Sequence, residues 1–446
     1  MSIRQHLVIV LAEAFLGGPW TLTDLQSRAR TLFAVERPRS WLQTLTQSVL
    51  VAFPATSPRP TERALCHFMA SRLRIRRAER GKGETLLKKP LPQWQLAMQP
   101  ADGPPSTWVV PALTTPAALA DWLGISLGEL DWFADKHEWA IDSRDARLCH
   151  YRRQWIRKRS GGQRLLEIPK VRLKQIQRRI LRHILDQVPV HDAAHAFRAG
   201  RSIVSHVAPH AGQHVILHID LREFFPSIRA SQVNATFRTL GYPERVASLL
   251  TGLVTCSTPS VVLEQGFPRL TDEARWQRYR SAHLPQGGPT SPALANLCGY
   301  RLDARLRGLA HVASAQYMRY ADDLVFSGDH QLRKSLPRLR VLINAIILDE
   351  GFEIRARKTH VMVRGTRQQI SGIRVNQHPN IPREVFDELK AILHNCVRFG
   401  PESQNRQSHA NFRDHLAGRL AYWSSICPDR IAKLQRMFEQ IVWPEG

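Results

Sequence analysis

The sequence predicts an α+β fold, and three observations carry that expectation. Apolar strand-like runs and helical stretches alternate from Tyr151 onward. The runs fall in a β-α-β-β-α-β order, and the chain on either side reads as helix alone. With 446 residues, 43% of them hydrophobic, the chain is too long for one core and apolar enough to fill two or three.

The N-terminal 110 residues read as helices separated by breakers. Arg4 followed by Leu7 to Leu16 has the outline of a leader, but Glu13 interrupts the apolar run, and an amphipathic helix is the better reading. Gly17-Gly18-Pro19 ends that helix, Thr21 caps the next, and Pro58 and Pro60 precede a third from about Thr61. This third helix runs into a basic stretch (Arg72, Arg74, Arg76, Arg77, Arg80, Lys82, Lys88 and Lys89) that reads equally as a solvated face or a polyanion contact. Pro90 to Pro111 has the composition of a linker. Thr115-Pro116 then opens a helical hairpin, Ala117 to Leu130. Its spacing suits a DNA-binding helix-turn-helix and equally a purely structural hairpin.

Strands are expected at His214 to Asp220, Gln316 to Tyr320 and Leu324 to Ser327, with helices at Pro292 to Leu306 and Gln331 to Leu348. After Pro382 amphipathic helices run to the end. Arg383 to His394 presents Val385, Phe386, Leu389, Ile392 and Leu393 on one face. The expected domains are therefore 1–110, 111–379 and 380–446.

Composition narrows the function. Lys and Arg number 63 against 38 Asp and Glu, a net charge of +25, which points to a polyanionic partner such as nucleic acid. No apolar run reaches the length of a membrane span, so no membrane partner is expected. Six scattered cysteines form no C-x-x-C pair, which argues against a disulfide framework or zinc knuckle and for a reducing, cytoplasmic setting.

Three carboxylates carry the chemistry. Asp220 ends an apolar strand, where a charge needs a partner. Asp322 and Asp323 sit side by side at a hairpin tip, where they repel unless a cation intervenes. Hard oxygen ligands on adjacent strands suit two Mg²⁺ ions, with Mn²⁺ as the alternative, and such a pair activates an attacking hydroxyl and stabilises leaving pyrophosphate.

Around these residues the motifs resemble those of reverse transcriptases. Tyr320-Ala321-Asp322-Asp323 is similar to the family's Y-A-D-D box, Asp220 to Ile228 to the strand with the first catalytic Asp, and Leu284 to Asn296 to the nucleotide-side loop and helix. Gly351-Phe352 with Lys358-Thr359 resembles the next block, and Lys158 to Arg164 the fingers hairpin. The resemblance implies a right-hand polymerase: fingers and a ferredoxin-like palm in 111–379, a helical thumb in 380–446, and a helical extension before them. It implies catalysis and metal binding by Asp220, Asp322 and Asp323. It further implies dNTP contacts from Lys158, Arg164, Gln286, Gly287 and Lys358, and an aromatic gate against ribose at Phe225, with Phe224 as the other candidate.

Within the family, Val188 to Phe197, Gly200 to Ile203 and Leu119 to Phe133 resemble bacterial retron enzymes, particularly the myxobacterial kind. Both retron marker motifs depart. The N-A-x-x-H box reads His206-Val207-Ala208-Pro209-His210, and the V-T-G box reads Ile370-Ser371-Gly372. The likeness implies a cognate non-coding RNA copied into an RNA–DNA product, antiphage defence, and an effector or toxin partner. It also implies RNA contacts at His210, Arg398, Arg406 and Arg413. The competing expectations are another defence-associated or group II intron-like enzyme, or a non-catalytic nucleic-acid scaffold.

Overall fold

The computed structural model describes residues 8, 11–12, 14–16, 20–33, 40–55, 60, 62–72, 108–135, 148–157, 161–267 and 272–444. The basic stretch beyond Arg72 and almost all of the linker lie outside the described residues. The chain divides into two compact units that interleave in sequence: 1–188 with 228–294, and 189–227 with 295–446.

In the first unit, helices Leu22–Phe33, Ser40–Ala52 and Glu62–Arg72 bury Leu25, Leu42, Val49, Leu65 and Met69 in a cluster of their own with Leu11 and Phe15. Strands β1 (Tyr151–Arg157) and β2 (Gln163–Pro169) form an antiparallel hairpin that pairs Ile156 with Arg164. The hairpin at Ala117 to Leu130 is built as expected from its caps. Thr115 accepts from the Ala118 amide before helix Pro116–Leu123, Gly124 closes that helix at φ 69°, and Ser126 with Glu129 makes a capping box on Leu127–Ala134. Its apolar positions Leu119, Leu123 and Leu130 are buried, and both helices pack on Glu244–Val254.

The second unit is organised by one four-stranded antiparallel sheet: β3 (Val215–Asp220), β4 (Gln316–Tyr320), β5 (Asp323–Gly328) and β6 (His360–Val363), in spatial order β4-β5-β3-β6. This is the expected β-α-β-β-α-β order, and the first crossover contains the 228–294 segment of the other unit. Side chains alternate between faces along each strand. Because Ile216, His218 and Asp220 lie opposite Ser327, Val325 and Asp323, these six share one face. Over that face lie the hairpin β7 (Gln369–Ile370) and β8 (Ile373–Arg374) and the helices Arg383–Phe399, Phe412–Ser424 and Pro428–Glu439, in one core containing Ile216, Val325, Ile370, Leu389, Leu393, Leu416 and Leu434. Arg319 and Tyr317, opposite Leu324 and Phe326, point to the other face, against helix Tyr300–Val312.

Two expected helices differ in detail. The helix from Pro292 is broken into Ser291–Cys298 and Tyr300–Val312 at Gly299. A Cβ there would lie 3.0 Å from the Ala295 carbonyl and 3.3 Å from Arg319 Nη2, so the glycine makes room for the guanidinium. The other helix spans His330–Asp349, capped by Asp329. Among the described residues, no helix is long and apolar enough to cross a membrane.

Candidate active site

The register of β3 and β5 sets Asp220 directly opposite Asp323 at one end of the sheet. Directly opposed residues hold their Cβ atoms about 4.5–5.5 Å apart, a spacing that is destabilising for like charges unless a cation joins them. Asp322 sits in the two-residue link between the Tyr320–Asp323 pair, and its carbonyl accepts from the Leu221 amide at 2.9 Å, extending the ladder past the carboxylates. Ala321 beside it adopts φ 56°, in the left-handed region that disfavours a side chain. The three carboxylates expected from the sequence are thus brought together.

Their electrostatics fit a cation. Burial, then repulsion from Asp323 and Asp220, pushes the Asp322 carboxyl up to about 6. Asp220 is only 3% exposed, and its Oδ1 is buried without a hydrogen bond. Two basic side chains supply positive charge here: Lys358 Nζ is 3.0 Å from Asp220 Oδ2, and Arg355 Nη1 is 3.2 Å from Oδ1. Asp323 is held by His218 Nε2 at 3.3 Å and by the Ser371 hydroxyl, which donates at 3.1 Å. Burial alone would lower the His218 pKa, but the Asp323 bond and the two carboxylate charges outweigh it and raise it.

Behind the turn, on the opposite face, Arg319 is fully buried. Its Nε and Nη2 bond Asp303 at 2.8 and 2.6 Å, and its Nη1 bonds Asn296 at 3.1 Å and the Ala321 carbonyl at 3.3 Å. The Tyr317 hydroxyl donates to the same Asp303 at 2.8 Å. This network anchors the turn that carries Asp322. Arg319, Asp303, His218 and Arg355 are not legible in the sequence as site residues, and Ser371 is legible only as part of the Ile370-Ser371-Gly372 box. Strand alternation marks His218 as a face-mate of Asp220, but nothing local reveals the partners of the others.

The remaining expected residues fall as follows. Phe224 is buried, 5.6 Å from the Phe352 ring centroid, whereas Phe225 is half-buried near the exposed Phe197. Arg164 is exposed on β2, and Lys158 lies outside the described residues. The Gln286 carbonyl accepts from the Glu167 amide at 3.0 Å. Gly287 follows at φ 135°, where a Cβ would meet the Glu167 carbonyl at 3.0 Å, so only glycine suits this position. Arg398, Arg406 and Arg413 are exposed, with Arg398 over the Phe399 ring and Arg413 over Trp443.

His210 corrects an expectation. It is 0% exposed, with Nδ1 2.6 Å from the Ser327 hydroxyl and its ring 5.9 Å from that of His206. The imidazole is therefore a core group, and no RNA contact is assigned to it. Burial also holds His206 well below its ordinary pKa and His210 down at about 3. In the folded state both refuse protons that the unfolded chain accepts near 6.5, so stability is full above that pH and falls as the pH drops toward 3. Thermal unfolding between pH 7.5 and 5 should show this loss, and His206→Phe should flatten the slope.

A second cluster, Glu167, Cys256 and His283 in the first unit, has the proximity of a cation site. It is already satisfied. Glu167 is bonded by His283 at 2.9 Å and Thr258 at 2.8 Å and paired with Arg153 at 3.3 Å, while burial keeps the Cys256 thiol protonated.

Residues 156–391 match the family model described as reverse transcriptase (RNA-dependent DNA polymerase), over half of the chain. The chain is 38% identical over 334 residues to the retron Mx65 reverse transcriptase of Myxococcus xanthus, covering 73% of this chain and 72% of that one. The chain is a retron-type reverse transcriptase. Its likeness to the retron Mx162 enzyme of Myxococcus xanthus is 37% over 65% of this chain and 60% of that one. For the retron Ec86 enzyme of Escherichia coli the figures are 33%, 62% and 76%. This reverse transcriptase is accordingly an RNA-directed DNA polymerase with a mixed helix-and-sheet polymerase fold, and its family generally works with divalent metal ions.

Proposed function

We propose that Asp220, Asp322 and Asp323 are the catalytic, metal-holding residues of this reverse transcriptase. The observation that carries the reading is the convergence of three carboxylates at one sheet end, with Asp220 facing Asp323. The donor set is all hard oxygen, which suits Mg²⁺, or Mn²⁺ in its place. When bound, the metal pair supplies charge stabilisation for the attacking primer hydroxyl and the departing pyrophosphate. The chain's own residues orient the carboxylates: Lys358 and Arg355 on Asp220, His218 and Ser371 on Asp323. In this reading the sheet is the palm, residues 380–446 are the thumb, the rest of 111–379 completes palm and fingers, and 1–110 is a helical extension. Lys158, Arg164, Gln286, Gly287 and Lys358 serve the incoming dNTP. Incorporation of dNTPs on a primed RNA template, with and without Mg²⁺, tests the assignment; metal-independent incorporation would defeat it.

Phe225 is proposed as the sugar gate, because Phe224 is committed to the core. Phe225→Ala should reduce the preference for a dNTP over its matching NTP by roughly tenfold or more. An unchanged ratio in a folded, active variant would place the gate elsewhere.

The retron likeness extends the proposal to the template. A dedicated non-coding RNA is copied into an RNA–DNA product, in antiphage defence and with an effector or toxin protein. Arg398, Arg406 and Arg413, exposed on the C-terminal region, are proposed to grip that RNA through its phosphates.

A further inference from the structure

The hairpin β7–β8 turns through Ser371 and Gly372, between the paired Ile370 and Ile373. Both turn residues have positive φ, 47° at Ser371 and 86° at Gly372, as a tight two-residue hairpin turn of this hand requires. Asparagine or glycine would relax the first position; serine has neither the short amide that favours it nor the freedom of a missing Cβ. A strained residue held in place by its surroundings is a reason to look for a function. Here the surroundings are Ile370 and Ile373, both 0% exposed and locked into the core beneath the C-terminal helices, so the turn cannot slide.

What the strained backbone delivers is a hydroxyl. Ser371 Oγ donates to Asp323 Oδ2 at 3.1 Å, while His218 Nε2 lies 3.3 Å from Oδ1. One carboxylate thus has the His218 ring of β3 beside one oxygen and, at the other, a hydrogen bond from a hairpin 48 residues away in sequence. A carboxylate at a hairpin edge, opposite another carboxylate, has a rotamer that its own strand does not fix.

We infer that Ser371 is a positioning residue: its hydroxyl, acting against His218, fixes the Asp323 carboxylate in the orientation that receives the cation, which makes the β7–β8 turn part of the metal site. The inference rests on the reading that Asp220, Asp322 and Asp323 hold the metal. It assigns a role in metal affinity to a marker-motif position whose side chain meets the carboxylate cluster.

The test uses two substitutions in the full-length chain and two readouts. Ser371→Gly removes the hydroxyl and relaxes the turn; Ser371→Thr keeps the hydroxyl and, being β-branched, strains the turn further. Mn²⁺ affinity is measured by equilibrium titration without substrates, and stability by the thermal unfolding midpoint without metal. Ser371→Gly should unfold no earlier than the parent yet bind Mn²⁺ roughly 10- to 100-fold more weakly, the usual cost of losing a group that orients a metal ligand. Ser371→Thr should unfold earlier yet keep parental Mn²⁺ affinity. Parental affinity in Ser371→Gly overturns the inference, and so does a joint loss of affinity and stability in that variant, which would make Ser371 a packing residue. Asp322→Asn in the same titration separates the two levels of the argument. If it abolishes Mn²⁺ binding while Ser371→Gly does not change it, only the inference fails; if neither changes binding, the metal assignment fails as well.

Discussion

Asp322→Asn should lower dNTP incorporation by roughly 10²–10³-fold or more while leaving RNA binding in place. Phosphoryl transfer depends on positioning and charge stabilisation rather than on covalent chemistry by the protein, and removing a single preorganised electrostatic group already costs that much. Asn preserves the shape and the main-chain bond from Leu221 to the Asp322 carbonyl, so the turn survives. The substitution also removes a buried like charge beside Asp323 and Asp220, so the metal-free variant should be at least as stable as the parent. RNA binding draws on the net charge of +25, which one carboxylate hardly alters. Filter binding and primer extension on the same preparation check both halves of this expectation.

The largest stability effect should come from Arg319→Met. Both members of the Arg319–Asp303 pair have 0% side-chain exposure. Removing the cation leaves Asp303 as an uncompensated buried charge, and breaking such a pair typically costs about 3–5 kcal/mol. It also leaves the Ala321 carbonyl and Asn296 Oδ1 without the guanidinium, so the turn bearing Asp322 loses its anchor. Denaturant unfolding measures the loss. The double variant Arg319→Met/Asp303→Leu should be less destabilised than Arg319→Met alone, because no unpaired charge remains. Equal stability of Arg319→Met and the parent would show that the pair does not hold the turn.

Asp220 was legible because a charge ends an apolar strand, whereas the doubled Asp322-Asp323, ordinary enough for a turn, was legible only through the ordered motifs around it. The chain order of strands and helices followed from their alternation, and the C-terminal amphipathic face from its spacing, with Leu389 and Leu393 buried as expected; the strand His360–Val363 and the hairpin of β7 and β8 are too short to read as strands locally. What escaped is what depends on distant partners. Arg319 looks like one of 63 basic residues until register sends it to the far face against Asp303, and Gly299 looks like an ordinary helical glycine until that guanidinium needs the space. His210 shows the converse: a motif histidine reads as a contact residue, but its neighbours make it part of the core. Ser371 lies 48 residues beyond Asp323, and only the fold joins them.

The most direct test is to sequence the DNA made when the full-length protein, purified with its bound nucleic acid, is given dNTPs and Mg²⁺. The account predicts DNA complementary to one structured RNA that co-purifies with the protein, absent without metal and absent with Asp322→Asn. DNA that copies assorted cellular RNAs, or that forms equally well with Asp322→Asn, would contradict it.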